Sequence, residues 1–546
     1  METNGAKRII EILIAHGIDT VAGIPGGNIL PLYDALHGST LRHVLARHEQ
    51  GAAFIAQGIA RSSGRIGVCL ATSGPGATNL VTGIADAWRD SIPLLAITGQ
   101  VPRALIGTQA FQEIDIASMA AHCTKAVYCA ERAADLDRIV SEAIVLAMSG
   151  RPGPVLIDVP KDVFLEVCPD APLPSRSSHA IRAPDPRELH RASRLLGESS
   201  RPILYAGGGL ASSGAEEAAR RFCERRGIPV ASTLLGLGTL PSDHPLSLGM
   251  IGMHGAPAAN HAIQECDLLI VAGARFDDRA TGRLAEFAPR ARVVRIDADA
   301  SEFGRLRKGD ADIHADARAA LEAWHDVDGN RPKEPWLARI GELRRDWAMP
   351  RQDEHGLVRA IHDAAPAGCI ATTDVGQHQM WAAQSWPIAG HRRFLTSGGL
   401  GTMGFGLPAA IGAALGSPGR NVVCLTGDGS ILMNIQELAT LAELRLPVKV
   451  CVFDNGSLGM VRQQQELFYG DRRSACEFAS TPDLAAVARG FGIESHRIGD
   501  WRQGGWEHLL RADGPAFLVF AMDAGSVWPM VPSGEKNTRM LMPKAA

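Results

Sequence analysis

Short apolar runs alternate with amphipathic stretches along most of this chain, and the alternation predicts its architecture. Residues 6–16 carry isoleucine and leucine at helical spacing, and Gly17 ends the predicted helix. Strands that alternate with helices favour parallel sheets covered by helices on both faces. The predicted strands of this first stretch are 20–25, 66–72, 93–99 and 154–160.

The same alternation recurs twice more, after stretches rich in proline and polar residues. Residues 168–186 and 326–335 lack periodicity, so we interpret them as linkers. The sequence thus predicts an α/β protein with three doubly wound parallel-sheet domains, at residues 1–165, 188–325 and 345–546. The further predicted strands are 202–209, 228–236, 267–275, 292–299, 369–376, the two ends of 422–455, and 515–521.

Composition is that of a globular protein of ordinary charge. The 546 residues are 46% hydrophobic and 21% charged, with a net charge of −4, and no basic block suggests a nucleic acid or membrane partner. No apolar run is long enough to cross a bilayer, and no signal peptide is apparent. The 10 cysteines include no C-x-x-C pair, which favours reduced thiols. We therefore expect a cytoplasmic protein without nucleic acid or membrane partners.

The segment 422–455 carries the strongest chemical signal. An apolar strand ends in Gly427-Asp428-Gly429-Ser430, a helix follows, and a second apolar strand ends before Asn455. In a parallel strand–helix–strand unit, Asp428 and Asn455 both reach the ligand-binding edge of the sheet. Their oxygens suit a hard divalent cation that also binds phosphate. The arrangement resembles the diphosphate-anchoring motif of thiamine diphosphate enzymes, although a plain βαβ unit with a polar turn would also fit.

A second candidate group lies in the first predicted domain. Glu49, in RHEQG, begins a helix among apolar and small residues, where a carboxyl group has a raised pKa and can share a proton with a ring nitrogen. A helix N-terminal glutamate that only complements the helix dipole is the alternative. The Gly-Pro turns at 23–31 and 71–79 follow strands and let backbone N–H groups approach a ligand.

Taken together, the motifs identify a family resemblance over nearly the whole chain. GIPGGNILPLYDAL, RHEQGAAFIAQG, ATSGPGATNLVTGIADA, GTQAFQEID, SGRPGPVLIDVPKDV, LGMIGMHG, GARFDDR, TTDVGQHQMWAAQ, LTSGGLGTMGFGLPAAIGAALG and GDGSILMNIQELAT occur in order. They resemble the catalytic subunit of bacterial acetohydroxyacid synthases (acetolactate synthases). The family's domains bind the thiamine pyrimidine, FAD and the diphosphate, which the resemblance assigns to the first, second and third predicted domains.

The resemblance also implies an activity and partners. Pyruvate would be decarboxylated on thiamine diphosphate, and the hydroxyethyl carbanion would condense with a second 2-keto acid, pyruvate or 2-ketobutyrate. The acetohydroxy acids serve valine, leucine and isoleucine biosynthesis. The cofactors would be thiamine diphosphate, Mg²⁺ and FAD, with a structural flavin. The family forms homodimers or homotetramers whose active sites lie across a subunit interface, usually with a small regulatory subunit.

Site residues carry over onto matching positions. Glu49 would activate the thiamine ring, and the proposed catalytic set also includes Gln112, Lys161 and Arg275. Mg²⁺ would bind Asp428, Asn455 and a carbonyl near Ser457, and Met403 would hold the two thiamine rings in a bent shape. The remaining thiamine diphosphate contacts would be Gly23, Pro25, Val375, Gly376, Gln377, His378, Gly401, Gly427, Gly429, Ser430 and Met460.

The flavin assignment depends mainly on GARFDDR, which in this family separates the FAD-dependent enzymes from a catabolic type without flavin. Arg275 and Arg279 offer planar donors to phosphate oxygens, although Arg279 could instead form a surface ion pair with Asp277 or Asp278. Gly207, Gly208 and Gly209 follow a strand without forming the dinucleotide fingerprint. The other expected FAD contacts are Arg151, Thr233, Leu234, Gly249, Met250, His254, Gly273, Asp277, Asp297 and Asp316.

The expected substrate contacts are Phe111 and Gln464, and the chain departs from the family at the second of these positions. Gln464 stands where many relatives have a tryptophan that is associated with a preference for 2-ketobutyrate. Because glutamine offers the extra methyl less apolar surface, we expect weak or no such preference. Ala126 is a second departure, without a functional interpretation. Two alternatives remain: a related pyruvate oxidase or 2-keto acid decarboxylase, and a non-catalytic paralogue.

Overall fold

The computed structural model describes residues 3–168, 172–173, 181–325 and 334–543, and most of both predicted linkers lies outside these ranges. The strands are β1 (Thr3–Asn4), β2 (Thr20–Gly23), β3 (Arg42–Leu45), β4 (Gly67–Ala71), β5 (Leu94–Gln100), β6 (Ala126–Cys129), β7 (Pro154–Pro160), β8 (Val167–Cys168), β9 (Pro202–Ala206), β10 (Val230–Ser232), β11 (Ser247–Met250), β12 (Leu268–Ala272), β13 (Arg292–Asp297), β14 (Ala311–His314), β15 (Ile370–Thr373), β16 (Phe394–Leu395), β17 (Val422–Gly427), β18 (Val448–Asp454), β19 (Glu494–Ile498) and β20 (Ala516–Ala521).

Helices connect most of these strands. They are α1 (Gly5–Ala15), α2 (Leu30–Leu36), α3 (Glu49–Ser63), α4 (Pro75–Asp90), α5 (Ile116–Ala120), α6 (Leu136–Met148), α7 (Lys161–Leu165), α8 (Pro186–Glu198), α9 (Gly208–Ser213), α10 (Glu216–Arg226), α11 (Pro257–Glu265), α12 (Asp278–Thr281), α13 (Ala317–His325), α14 (Glu334–Asp346), α15 (Asp353–Ala364), α16 (Gln377–Ser385), α17 (Gly406–Gly416), α18 (Asp428–Ile431), α19 (Glu437–Leu444), α20 (Gly459–Phe468) and α21 (Leu484–Gly490). Among the described residues, no helix has both the length and the hydropathy needed to cross a bilayer.

In the part of the chain that the structure describes, three six-stranded parallel sheets form the three layers that the alternating pattern predicts. Their orders are β3-β2-β4-β5-β7-β6, β11-β10-β9-β12-β13-β14 and β16-β15-β17-β18-β20-β19. We name the corresponding parts of the chain the first, middle and third units. Counted along each unit, the first and third sheets share the order 2-1-3-4-6-5, whereas the middle sheet runs 3-2-1-4-5-6. The predicted α/β class with doubly wound sheets is confirmed, and two units share one topology.

Burial explains which strands the periodicity predicts. Most inner strands, such as β17 and β18, are buried along their whole length because helices cover both sheet faces. The periodicity predicts all 12 inner strands and none of the six edge strands, which are β3, β6, β11, β14, β16 and β19. Edge strands carry shorter or more polar sequences; β19, for example, is Glu-Ser-His-Arg-Ile and is largely exposed.

The first and third units meet where helices α3 and α17 cross. A Cβ atom added to Gly58 of α3 would overlap the carbonyl oxygen of Ala409, and one added to Gly412 of α17 would overlap that of Ile55. The two helix backbones therefore touch without intervening side chains. Glycine in a helix costs conformational entropy, but here it permits this close approach.

We predict that Gly58→Ala and Gly412→Ala each lower the free energy of unfolding by about 1–3 kcal/mol, because the added methyl forces the helices apart. The measurement is the denaturation midpoint. Gly341→Ala on α14 is the matched control, since its nearest neighbour is the Arg345 side chain at 3.7 Å, and it should be neutral or stabilising by ~0.5–1 kcal/mol. Equal effects at the three positions would contradict the packing argument.

Candidate active site

A cavity of about 1250 Å³ lies between the middle and third units. Its walls include the segments that follow β9 and β12 in the middle sheet, and those that follow β15 and β17 in the third. In both sheets these are the adjacent strands at which the strand order reverses. Doubly wound sheets bind ligands at such switch points, outside the carboxyl ends of the strands.

Most of the sequence-predicted site residues line this one cavity, and those of the first unit do not, apart from Arg151. The lining residues are Arg151, Gly208, Gly209, Thr233, Leu234, Met250, His254, Gly273, Arg275, Asp277, Arg279, Asp297, Asp316, Val375, Gly376, Gln377, His378, Gly401, Met403, Gly427, Asp428, Gly429, Ser430, Asn455, Ser457, Met460 and Gln464. Outside the lining are Gly23, Pro25, Glu49, Phe111, Gln112, Lys161, Gly207 and Gly249.

Asp428 and Asn455 lie together at the ends of β17 and β18, as their spacing predicts. The Asp428 carboxylate accepts hydrogen bonds from the backbone N–H groups of Gly429 at 3.1 Å and Gly456 at 2.8 Å. The Asn455 side-chain oxygen accepts from the backbone N–H and the hydroxyl of Ser457, both at 3.1 Å. The turn therefore offers one carboxylate and one amide oxygen, donors that suit Mg²⁺ better than a soft metal.

The Asp428 carboxyl group is electrostatically unusual. It is 2% exposed, and burial together with the neighbouring Asp454 carboxylate raises its pKa to about 7. Asp454 itself is paired with Arg497 at 2.7 Å. A divalent cation at Asp428 would offset the repulsion between the two carboxylates and stabilise the ionised form.

His378 and two glycines shape the wall beside this turn. A Cβ at Gly427 or Gly376 would lie about 3 Å from the imidazole ring, so the ring fits only because both positions lack side chains. Burial lowers the pKa of His378 to about 3, which keeps it neutral. Its Nε2 atom is buried without a hydrogen-bond partner among the described residues. A polar ligand in the cavity would supply that partner, so the wall fits a diphosphate group.

A chain of amide side chains connects the turn to the C-terminal part of the third unit. Asn455 donates to the Gln377 side-chain oxygen at 3.2 Å, and Gln377 donates to the Gln463 oxygen at 3.3 Å. Gln463 is fully buried and bonds both backbone polar groups of Val527, at 2.8 and 2.9 Å. The sequence did not single out Gln463, which fixes α20 and hence its cavity-lining residues Met460 and Gln464.

Asp374 is a second residue that the sequence argument missed. It is buried directly after β15, and its carboxylate accepts from the backbone N–H groups of Gly404 at 2.8 Å and Gly406 at 3.3 Å. Burial nevertheless raises its pKa to about 6. Asp374 therefore connects the start of α17 to the cavity-lining residues 375–378. Because Asp374 immediately precedes these predicted cofactor contacts in the sequence, its position could have identified it.

The middle unit supplies the other wall. The backbone of Gly209 packs against that of Gly273, and its N–H donates to the Gly273 carbonyl at 3.0 Å. Arg151 reaches from the first unit and bonds Ser91 at 2.8 Å and Asp299 at 3.5 Å. Side-chain-free backbone beside arginines can bind a pyrophosphate, so this wall fits FAD.

Individual polar groups in this wall have distinct environments. Arg279 is largely exposed and forms an ion pair with Asp278 at 3.6 Å, which is the alternative to phosphate binding that the sequence left open. Arg279 also lines the cavity. His254 is buried, which lowers its pKa to about 4. Its Nδ1 atom lies 2.9 Å from the Pro529 carbonyl, while Nε2 has no partner among the described residues. Burial raises the pKa of Asp297 to about 6.

The residues predicted in the first unit form a separate group on its sheet edge. Glu49 begins α3 and accepts a hydrogen bond from Asn79 at 2.9 Å. Gly74 packs against Gln112, which has a left-handed backbone with φ of 63°. Phe111 beside it is 86% exposed. Glu49 therefore lies among the expected first-unit residues but away from the cavity of its own chain.

Comparison with known proteins agrees with the three-unit division. Profiles described as the N-terminal TPP binding, central and C-terminal TPP binding domains of thiamine pyrophosphate enzymes match residues 3–119, 189–324 and 374–520.

Curated relatives match along almost the whole length. The large subunit of acetolactate synthase isozyme 2 from Escherichia coli K12 is 45% identical over 98% of this chain and 99% of its own. The large subunit of isozyme 1 from the same organism is 46% identical over 98% of this chain and 97% of its own. A probable acetolactate synthase large subunit from Methanocaldococcus jannaschii is 44% identical over 99% of this chain and 95% of its own. The chain therefore belongs to the acetolactate synthase large-subunit family of thiamine pyrophosphate enzymes.

Proposed function

We propose that this chain is an acetolactate synthase that joins two 2-keto acids with loss of CO₂, taking pyruvate as donor and pyruvate or 2-ketobutyrate as acceptor. The observation that carries the proposal is the Asp428–Asn455 turn, which opens into a cavity whose other wall is formed by the middle unit. A site for a thiamine cofactor thus adjoins a second nucleotide-sized space. The products would serve valine, leucine and isoleucine biosynthesis in the cytoplasm.

The cavity residues divide naturally between cofactors. Asp428, Asn455 and a carbonyl near Ser457 would hold Mg²⁺ on the diphosphate of thiamine diphosphate. Met403, Val375 and the other predicted thiamine contacts of the third unit would surround the rings. The predicted middle-unit contacts and Arg151 would hold FAD. Thiamine diphosphate, when bound, would supply the carbon nucleophile and the electron sink for decarboxylation.

Several side chains have roles that follow from their positions. Arg275 would orient a substrate carboxylate, for which a planar guanidinium is suited. Gln464 would contact the acceptor side chain, since it lies on α20 and lines the cavity. Glu49 would hold a proton on the aminopyrimidine ring. The cavity walls, completed by a second chain, would exclude water from the reacting carbon.

The location of Glu49 supports a site shared between two copies of the chain. The glutamate does not line the cavity of its own chain, and exposed apolar side chains lie near its sheet edge: Leu105 is 44% exposed, Ile106 51% and Phe111 86%. Exposed apolar groups of this kind favour a subunit interface. We propose a homodimer as the minimum active unit, with a homotetramer as an extension, in which a partner brings Glu49, Gln112 and Lys161 to the cavity.

The names of the relatives support one further partner. The E. coli proteins are described as large subunits, and we propose that this chain also associates with a small regulatory subunit. Nothing in the proposed chemistry requires that subunit, because all the proposed site residues belong to this chain.

A product assay tests the proposed function directly. Purified protein is incubated with pyruvate, thiamine diphosphate, Mg²⁺ and FAD, and then with each cofactor omitted. We expect acetolactate that disappears without thiamine diphosphate and falls without FAD. Acetolactate formation that is indifferent to FAD would reject the flavin role, whereas acetaldehyde, or acetate with oxygen consumption, would reject the synthase reaction.

Magnesium binding should weaken as the pH falls through 7. The pKa of Asp428 is raised to about 7, so protons compete with the cation below that pH, and the apparent affinity should fall by roughly tenfold per pH unit. The measurement is a Mg²⁺ titration in the presence of thiamine diphosphate at a series of pH values. An affinity that stays constant between about pH 8 and about pH 5.5 would contradict this account of the carboxyl group.

Position 464 should set the choice of acceptor. Gln464→Trp adds apolar surface beside the acceptor, so we expect the preference for 2-ketobutyrate over pyruvate to rise by about 10-fold or more, corresponding to ~1–3 kcal/mol for one methylene group. Gln464→Leu is the comparison variant, and its preference for 2-ketobutyrate should lie between those of the unsubstituted protein and Gln464→Trp. Product ratios with both 2-keto acids present measure the preference. A strong preference already present in the unsubstituted protein would show that another residue makes the distinction.

A further inference from the structure

A buried charged cluster lies beside the loop that carries Gly401 and Met403. It consists of Arg61 on α3 with Asp86 and Asp90 on α4, all in the first unit. The side chain of Arg61 is 5% exposed, and those of the two aspartates are fully buried. One Arg61 nitrogen, Nη2, lies 3.2 Å from Asp86 and 2.9 Å from Asp90. We call these three residues the Arg61 cluster.

Asp90 binds the backbone of the loop rather than its side chains. One carboxylate oxygen accepts from the N–H of Gly398 at 2.9 Å, and the other accepts from that of Gly399 at 2.6 Å. A Cβ at Gly399 would overlap the Asp90 carboxylate, and one at Gly398 would overlap Leu235 of the middle unit. This part of the loop is thus held between the first and middle units.

Asp86 binds the next part of the loop through hydroxyl groups. One of its oxygens accepts from Ser397 and from Thr402, the latter at 2.9 Å. The Ser397 oxygen in turn accepts from the Thr402 N–H at 2.9 Å. Arg61 completes the arrangement by donating to the carbonyl of Thr396 at 2.9 Å. The Ser397–Met403 loop, together with Thr396 just before it, is therefore hydrogen-bonded near both of its ends to the Arg61 cluster.

Charge balance explains why the cluster and the loop depend on each other. Two carboxylates and one guanidinium leave a buried excess of one negative charge, which is costly unless hydrogen bonds compensate it. The loop supplies these bonds from two N–H groups and two hydroxyls. If the loop moved away, the aspartates would lose their donors, so the loop is held where Gly401 and Met403 line the cavity.

We propose that Arg61, Asp86 and Asp90 are positioning residues that fix the Ser397–Met403 loop for binding of the thiamine rings. This inference depends on the proposed function only for the identity of the ligand. It also gives α3 two roles, because the helix begins with Glu49 and carries Arg61 three turns later, about 18 Å along its axis. One rigid helix would then position both a catalytic group and the cofactor loop.

The test compares Asp90→Asn with Asp86→Asn. The new amide in Asp90→Asn must turn its NH₂ group toward a backbone N–H, whereas the hydroxyls that face Asp86 can reverse and act as acceptors. We expect Asp90→Asn to speed hydrogen exchange of the 396–405 segment by about tenfold in cofactor-free protein, and to weaken binding of thiamine diphosphate with Mg²⁺ by about tenfold. Asp86→Asn should have smaller effects of the same sign.

Two further variants complete the design. Asp137→Asn is the matched control, because Asp137 pairs with the buried Arg8 at 2.5 and 2.6 Å, away from the loop. It should leave both readouts within about twofold of the unsubstituted protein even if it lowers thermal stability. Ser397→Ala approaches the cluster from the loop side, and it replaces Asp90→Asn if that variant does not fold.

The outcomes separate the inference from the proposed function. Faster exchange and weaker binding in Asp90→Asn or Ser397→Ala, but not in Asp137→Asn, would support the positioning role. Unchanged exchange in the cluster variants, or an equal effect in Asp137→Asn, would overturn it. If the unsubstituted protein does not bind thiamine diphosphate, the proposed function fails, while the exchange comparison still decides whether the cluster fixes the loop.

Discussion

The direct backbone contact between helices α3 and α17 is the constraint on which the site depends. Gly58 and Gly412 let the first and third units approach until main chains touch, and close-packed contacts of this kind resist displacement. Glu49 is the first residue of α3. Helix α17 begins at Gly406, just after the loop that carries Met403, and the Gly406 N–H donates a hydrogen bond to the Asp374 carboxylate. The contact therefore fixes how the first unit sits against the cofactor-binding edge of the third.

Parallel topology explains where the chemistry lies. The first and third sheets share one strand order, and the middle sheet has another. In all three sheets, most of the predicted site residues lie at or just beyond the carboxyl ends of parallel strands. The cavity forms because the switch points of the middle and third units face each other. The first unit presents its own switch point elsewhere, with Glu49 nearby, and that separation is the physical basis for proposing a site completed by a second chain.

The sequence predicted the inner strands, and most of the site residues that it proposed line one cavity, for a common reason. Inner strands are continuous apolar runs, and Asp428, Asn455 and Gln464 lie in recognisable segments, so each signal is local. Edge strands lack such runs. The supporting residues Asp374, Gln463 and Asp90 were missed because their partners are backbone groups or amides from 30 to more than 300 positions away. No local pattern specifies such partners.

A complementation experiment tests the central claim, that the active site combines Glu49 of one chain with the Asp428 turn of another. Glu49→Gln and Asp428→Asn variants, each with little activity alone, are mixed under conditions that allow subunit exchange. After random exchange, half of the dimers are mixed and one of the two sites in each mixed dimer is complete. Roughly a quarter of all sites should therefore be active. No recovered activity in a mixture proven to contain mixed dimers would contradict the shared site.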